Sequence, residues 1–193
     1  MSIHIDEPNA QLVEHDIAFD PELLQTVLSE VQPHLRDKVP IILFGKTCYQ
    51  KRAVAFFSDE SKGYKYSNQI AEAMPIGPAT RTILNSVNSH FNTKFNGILV
   101  NFYADGTQYI SAHSDDERTL DSSGVVALSI GTERIFRVRD RLTKKIVYNL
   151  QTRSGKIIQM RGTNFQKKFT HEIPIQKRVK ESRTSLTFRR HME

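Results

Sequence analysis

The 193-residue chain has a single cysteine, Cys48, so it can build neither an internal disulfide nor a thiolate zinc site. Any metal must be held mainly by histidine and carboxylate. Nine glycines and seven prolines make up under a tenth of the chain, which excludes collagen and low-complexity repeats. No apolar run approaches the roughly 18 residues of a membrane span, and the acidic opening MSIHIDEPNAQLVEHD is unlike a signal peptide. These absences predict an intracellular protein of cytoplasm or nucleus, neither secreted nor membrane-bound. With 38% hydrophobic and 25% charged residues the chain can bury a core, and its length suits about one domain.

Charge is unevenly placed. Residues 141–193 hold 14 Lys and Arg against 3 Asp and Glu, whereas residues 1–140 hold 13 against 18. The basic final quarter suits either a polyanionic partner or a solubilising surface.

Asp20-Pro21-Glu22 is a helix start, and Leu23, Leu24, Val27, Leu28 and Val31 follow at helical spacing. A second helix is predicted from Pro78 to Phe91, with Ile83, Leu84, Val87 and Phe91 on one face. The remainder reads as short strands: Asn96–Tyr103, Gln108–His113, Val125–Ile130, Ile135–Arg139, Ile146–Leu150, Lys156–Met160 and Arg183–Arg189. Helices followed by many short strands predict an α+β fold with a sandwich or jelly-roll core buttressed by the helices.

Two motifs carry chemistry. In His113-Ser114-Asp115, residues i and i+2 share a strand face, so imidazole and carboxylate can meet one ion. His171, 56 residues beyond Asp115, is the best third ligand. Such a set suits non-haem Fe(II), with positions left open for co-substrates, or zinc in a hydrolase. The second motif is Arg183-Thr-Ser-Leu-Thr-Phe-Arg189, in which Arg183, Ser185, Thr187 and Arg189 occupy one strand face. Two guanidinium forks and two hydroxyls form a receptor for a dicarboxylate, or else an exposed basic strand. Six residues at about 3.3 Å span about 20 Å, longer than a five-carbon diacid, so either both arginines lean inward or one acts through a neighbour. Asn101 and Tyr103 offer hydrogen bonds from a neighbouring strand.

Asn101-x-Tyr103, His113-x-Asp115, His171 and Arg183-x5-Arg189 occur in an order and spacing that resemble the AlkB family. LFGK (43–46), YKYS (64–67), HSDDER (113–118) and RTSLTFR (183–189) are most similar to its AlkB homologue 2 type, the duplex-DNA repair branch. The resemblance covers roughly residues 40–190. It implies a double-stranded β-helix and a single dioxygenase domain over 1–193. Within it, 1–39 would be an N-terminal extension and helix, 40–70 a nucleotide-recognition lid, and 95–190 the jelly-roll core.

The resemblance further implies Fe(II) on His113, Asp115 and His171. It places 2-oxoglutarate on Asn101, Tyr103, Arg183, Ser185, Thr187 and Arg189, with O2 as co-substrate. The reaction would be oxidative removal of N-alkyl groups from bases such as 1-methyladenine and 3-methylcytosine in DNA. Tyr66 would stack on the flipped base, beside Tyr64, Lys65 and Ser67. Phe44, next to Gly45 in the LFGK hairpin, would wedge into the gap left by that base, although it also fits a packing role. Asp116 and Glu117 would reach the exocyclic amine of the base. Lys46, Arg52, Lys177 and Arg178 would hold phosphates. Lys51 stands where relatives commonly have proline, Ser58 replaces a usual glycine, and Ser185 replaces the asparagine of the bacterial member. RNA demethylation, protein hydroxylation and a non-catalytic nucleic-acid-binding module are the alternatives. The expected protein is a monomer acting on nucleic acid, with DNA ahead of RNA.

Overall fold

The computed structural model describes residues 1–43, 45–61, 63–66, 69–115 and 124–191. In chain order the strands are β1 (Ser2–Glu7), β2 (Ala10–His15), β3 (Pro40–Leu43), β4 (Lys46–Tyr49), β5 (Ala53–Phe57), β6 (Gly63–Tyr66), β7 (Gln69–Met74), β8 (Gly97–Tyr103), β9 (Ile110–His113), β10 (Val125–Gly131), β11 (Arg134–Asp140), β12 (Ile146–Thr152), β13 (Ile157–Arg161), β14 (Phe169–Ile173) and β15 (Arg183–Arg189). Among the described residues the helices are α1 (Pro21–Val31), extended by a 3-10 turn at Gln32–His34, α2 (Pro78–Phe91) and the short α3 (Phe165–Lys168).

Two sheets form the core. A large one has the order β1-β2-β13-β10-β15-β8-β5-β7-β6, and a small one the order β12-β11-β14-β9. β3 and β4 form a separate hairpin. Packed together, the small sheet and the central strands of the large one make the jelly roll that the strand pattern predicts.

Alternation along the central strands decides what each layer holds. Ile98 and Val100 of β8, Val126 and Leu128 of β10, and Leu186 and Phe188 of β15 share one apolar cluster with Leu24, Val27 and Val31 of α1 and Ile83, Leu84 and Val87 of α2. The intervening residues of β8 and β15 line a cavity between the sheets.

The helices begin as their sequences dictate. Asp20 Oδ1 accepts from the Glu22 amide at 3.1 Å, with Pro21 in the first turn, where its missing N–H is harmless. α2 has no side-chain cap from its own N-cap residue, Gly77. Glu30 on α1 does this work across the helix pair, accepting from the Ala79 and Thr80 amides at 2.8 Å each.

The N-terminal segment departs from the sequence reading. Residues 1–39 were expected to be an extension and a helix, yet β1 and β2 form a hairpin there, and β2 continues the large sheet against β13. Asn9, left-handed at φ 55°, makes the turn that joins the two strands.

Candidate active site

The site is assembled from both sheets. His113 and His171 are directly opposite each other on β9 and β14, and their rings are 4.3 Å apart between centroids. Asp115 lies two residues beyond β9, with Oδ1 4.0 Å from His113 Nε2 and Oδ2 3.6 Å from His171 Nε2. The three side chains can each offer a ligand atom, all within 4.8 Å of one another. His113 Nδ1 is 2.8 Å from the Ser111 carbonyl, which fixes Nδ1 as the N–H donor and leaves the Nε2 lone pair facing the site. Phe136 stacks on the His171 ring at 5.3 Å and 18°, fixing its plane.

The opposite wall is β15 and β8. Arg189 Nη2 pairs with Asp115 Oδ1 at 3.3 Å, and both side chains are buried. Arg183, 2% exposed, donates from Nη2 to Ser129 Oγ on β10 at 2.8 Å. Its guanidinium carbon is 5.6 Å from the Tyr103 ring centroid. Ser185, Thr187, Asn101 and Tyr103 line the same cavity, and Leu99, Ile110, Ala127, Phe136, Ile158, Met160 and Ile173 supply its apolar walls.

Electrostatics follow from this packing. Burial alone would raise the Asp115 carboxyl, but the Arg189 cation, followed by the two imidazoles, outweighs it and holds the group at about 2. Burial, reinforced by His113, lowers His171 to about 3, so its imidazole is neutral at physiological pH. Burial also lowers Arg183 to about 10, which leaves it a cation at neutral pH.

The donors present fit a metal with a diacid co-substrate. Two neutral imidazoles and one ionised carboxylate on one face of a cavity form the facial set that suits non-haem Fe(II). Among the described residues, the buried Nε and Nη1 of Arg183 have no hydrogen-bond partner, and an anion accepting from them would satisfy both.

One expected contact is placed differently. Arg52, predicted to hold phosphate, is only 4% exposed and donates from Nε to Asn101 Oδ1 at 2.6 Å. It lines the cavity itself. Gly45 and Lys46 are exposed in the β3–β4 turn, and Lys177 and Arg178 are exposed in the loop between β14 and β15. Phe44, Ser67, Asp116 and Glu117 lie outside the described residues, as do the side chains of Tyr64, Lys65 and Tyr66 on β6.

Three contributors escape sequence reasoning. Ser129 anchors Arg183, and Gln166 on α3 accepts from the Asp115 amide at 3.0 Å. Arg134, fully buried, donates to the carbonyls of Asp105, Gln108 and Pro174, tying the approach to β9 to the end of β14. The one legible signal was a serine, Ser129, interrupting the apolar run Val125–Ile130 near its end.

Comparison with known proteins agrees with this geometry. Residues 20–189 match the family described as 2OG-Fe(II) oxygenase superfamily. The chain is 34% identical to mouse DNA oxidative demethylase ALKBH2 over 157 residues, covering 77% of this chain and 65% of that protein. Against the human protein of the same name it is 30% identical over 178 residues, covering 88% and 67%. The chain thus spans about two thirds of the length of these curated relatives. The solved structure of OsALKBH1 superposes with a TM-score of 0.61 at 14% identity, covering 98% of this chain and 100% of that one, a likeness of fold. The chain belongs to the 2OG-Fe(II) oxygenase superfamily and, within it, to the AlkB family.

Proposed function

We propose that this protein is an Fe(II)- and 2-oxoglutarate-dependent dioxygenase that repairs DNA by removing alkyl groups from bases such as 1-methyladenine and 3-methylcytosine. The observation that carries the reading is one cavity holding His113, Asp115 and His171 opposite a buried Arg183 with unpartnered donors. Bound Fe(II) with 2-oxoglutarate and O2 supplies the oxidation of an N-methyl group, which leaves as formaldehyde alongside succinate and CO2.

The chain's own residues provide placement. His113, Asp115 and His171 hold the metal. Arg183, with Tyr103 and Ser185, receives the distal carboxylate of the co-substrate. Arg189, with Asn101 and Thr187, serves the end nearer the metal. Arg52 orients the Asn101 amide by occupying its oxygen. The apolar walls exclude water, which strengthens the charge pairing inside.

The nucleic-acid partner is supported by the exposed Lys46, Lys177 and Arg178 and by the basic turn at Arg141, Lys144 and Lys145. The demethylase name of the ALKBH2 relatives points to DNA as the substrate. The proposal extends to one catalytic domain over 1–193, with a lid at 40–70 and a core at 95–190, acting as a monomer in a compartment that holds DNA. Among the described residues, no helix is long and apolar enough to cross a membrane.

The test is incubation with DNA and RNA oligonucleotides carrying 1-methyladenine or 3-methylcytosine, reading restored base by mass spectrometry and formaldehyde release. Restoration in DNA that needs Fe(II), 2-oxoglutarate and O2 together is expected. Full turnover with a strong iron chelator and no 2-oxoglutarate would refute the enzyme class, and turnover confined to RNA would refute the substrate.

A further inference from the structure

We infer that Gln166 is a positioning residue for the metal carboxylate of Asp115. The inference rests on the metal-centre reading of His113, Asp115 and His171. The two imidazoles come from strands held by ladder hydrogen bonds and paired directly with each other. Asp115 has no such support, because β9 ends at His113. This stretch of backbone is held instead from α3 and from the first residue of β14. The Asp115 amide donates to Gln166 Oε1 at 3.0 Å, and the neighbouring Ser114 hydroxyl donates to the Phe169 carbonyl at 3.0 Å.

Gln166 is itself fixed from two further sides. Its Nε2 donates to Met160 Sδ at 3.5 Å, and its main-chain carbonyl accepts from Arg141 Nη1 at 2.9 Å. Only one orientation of the amide works, since the Asp115 N–H needs an acceptor and Oε1 is the only one that side chain has. The side chain therefore sets where the Asp115 main chain stands, and with it where the carboxylate meets the imidazoles. Outer partners of this kind tune metal affinity because they orient the ligand.

The test compares the full-length protein with Gln166→Met, similar in length but without an acceptor, and Gln166→Glu, which keeps one. Mn(II) binding is measured in the presence of 2-oxoglutarate, and melting is measured without metal. Gln166→Met should weaken Mn(II) about tenfold or more, while Gln166→Glu binds at least as tightly as the parent. The metal-free melting of the two variants should be alike. Parent-like affinity in Gln166→Met would overturn the inference. So would equal losses in both variants, or a loss in Gln166→Met matched by a collapse of its metal-free melting. A parent protein that fails to bind Mn(II) would instead overturn the metal-centre reading beneath it.

Discussion

On β15, alternate residues serve two different purposes. Leu186 and Phe188 join the apolar cluster beneath the helices, while Arg183, Ser185, Thr187 and Arg189 line the cavity between the sheets. β8 divides the same way, with Ile98 and Val100 outward to the helices and Asn101 and Tyr103 inward. One face is stabilised by area removed from water, and the other by paired charges and hydrogen bonds whose donors are incomplete without an anion. The comparison teaches that stability and chemistry share strands without sharing side chains. A slip of one residue would exchange the two sets, so the apolar face fixes the register that the chemical face needs.

The largest effect should come from the chemical face. Arg189→Met strips the buried Asp115 carboxylate of its cation, and breaking a buried pair this way costs about 3–5 kcal/mol. The metal-free protein should lose stability by that amount and turnover should collapse, while Mn(II), which neutralises the carboxylate left unpaired, binds at least as tightly as in the parent. Parental stability of the metal-free variant in chemical denaturation would show that the pair does not organise the site.

Phe188→Ala, on the helix face of the same strand, should cost about 3–5 kcal/mol in chemical denaturation because its side chain is fully buried. Its folded fraction should bind metal and co-substrate like the parent. Loss of co-substrate affinity without loss of stability would erase the distinction between the faces.

Glu30→Ala removes the acceptor for two α2 amides and should cost about 1–3 kcal/mol, leaving the site untouched. Urea unfolding with a 2-oxoglutarate titration checks both parts.

The smallest effect at neutral pH concerns His15 and His191. Burial lowers both, His191 to about 4. The unfolded chain then binds more protons than the folded one below pH 6.5. Stability from these groups is complete well above that pH and falls as the pH drops below it, for His191 down to about 4, by at most about 1.4 kcal/mol per unit. His191→Phe should flatten that slope, and an unchanged slope would assign it to other groups.

Much of this division was legible in the sequence because it is written in local periods. The alternation of RTSLTFR placed Arg183, Ser185, Thr187 and Arg189 on one face, and Asp20-Pro21 marked the start of α1. The β1–β2 hairpin was not read because its runs are short and mixed with acids, although Pro8-Asn9 between Ile3–Ile5 and Leu12–Val13 is a usable turn signal. Arg52 was misplaced for a different reason. Beside Lys51 it reads as a surface charge, and its bond to Asn101 lies 49 residues away in sequence, beyond any local pattern. Ser129 and Gln166 depend on contacts 54 and 51 residues distant, which no local pattern encodes.

The most direct test of the chemical face is 2-oxoglutarate binding to Mn(II)-loaded protein, measured by calorimetry for the parent and for Arg183→Met. The account predicts that the parent binds and that Arg183→Met loses about a hundredfold or more in affinity while keeping its Mn(II). Equal 2-oxoglutarate affinity in the two proteins would contradict the assignment of β15 as the diacid receptor.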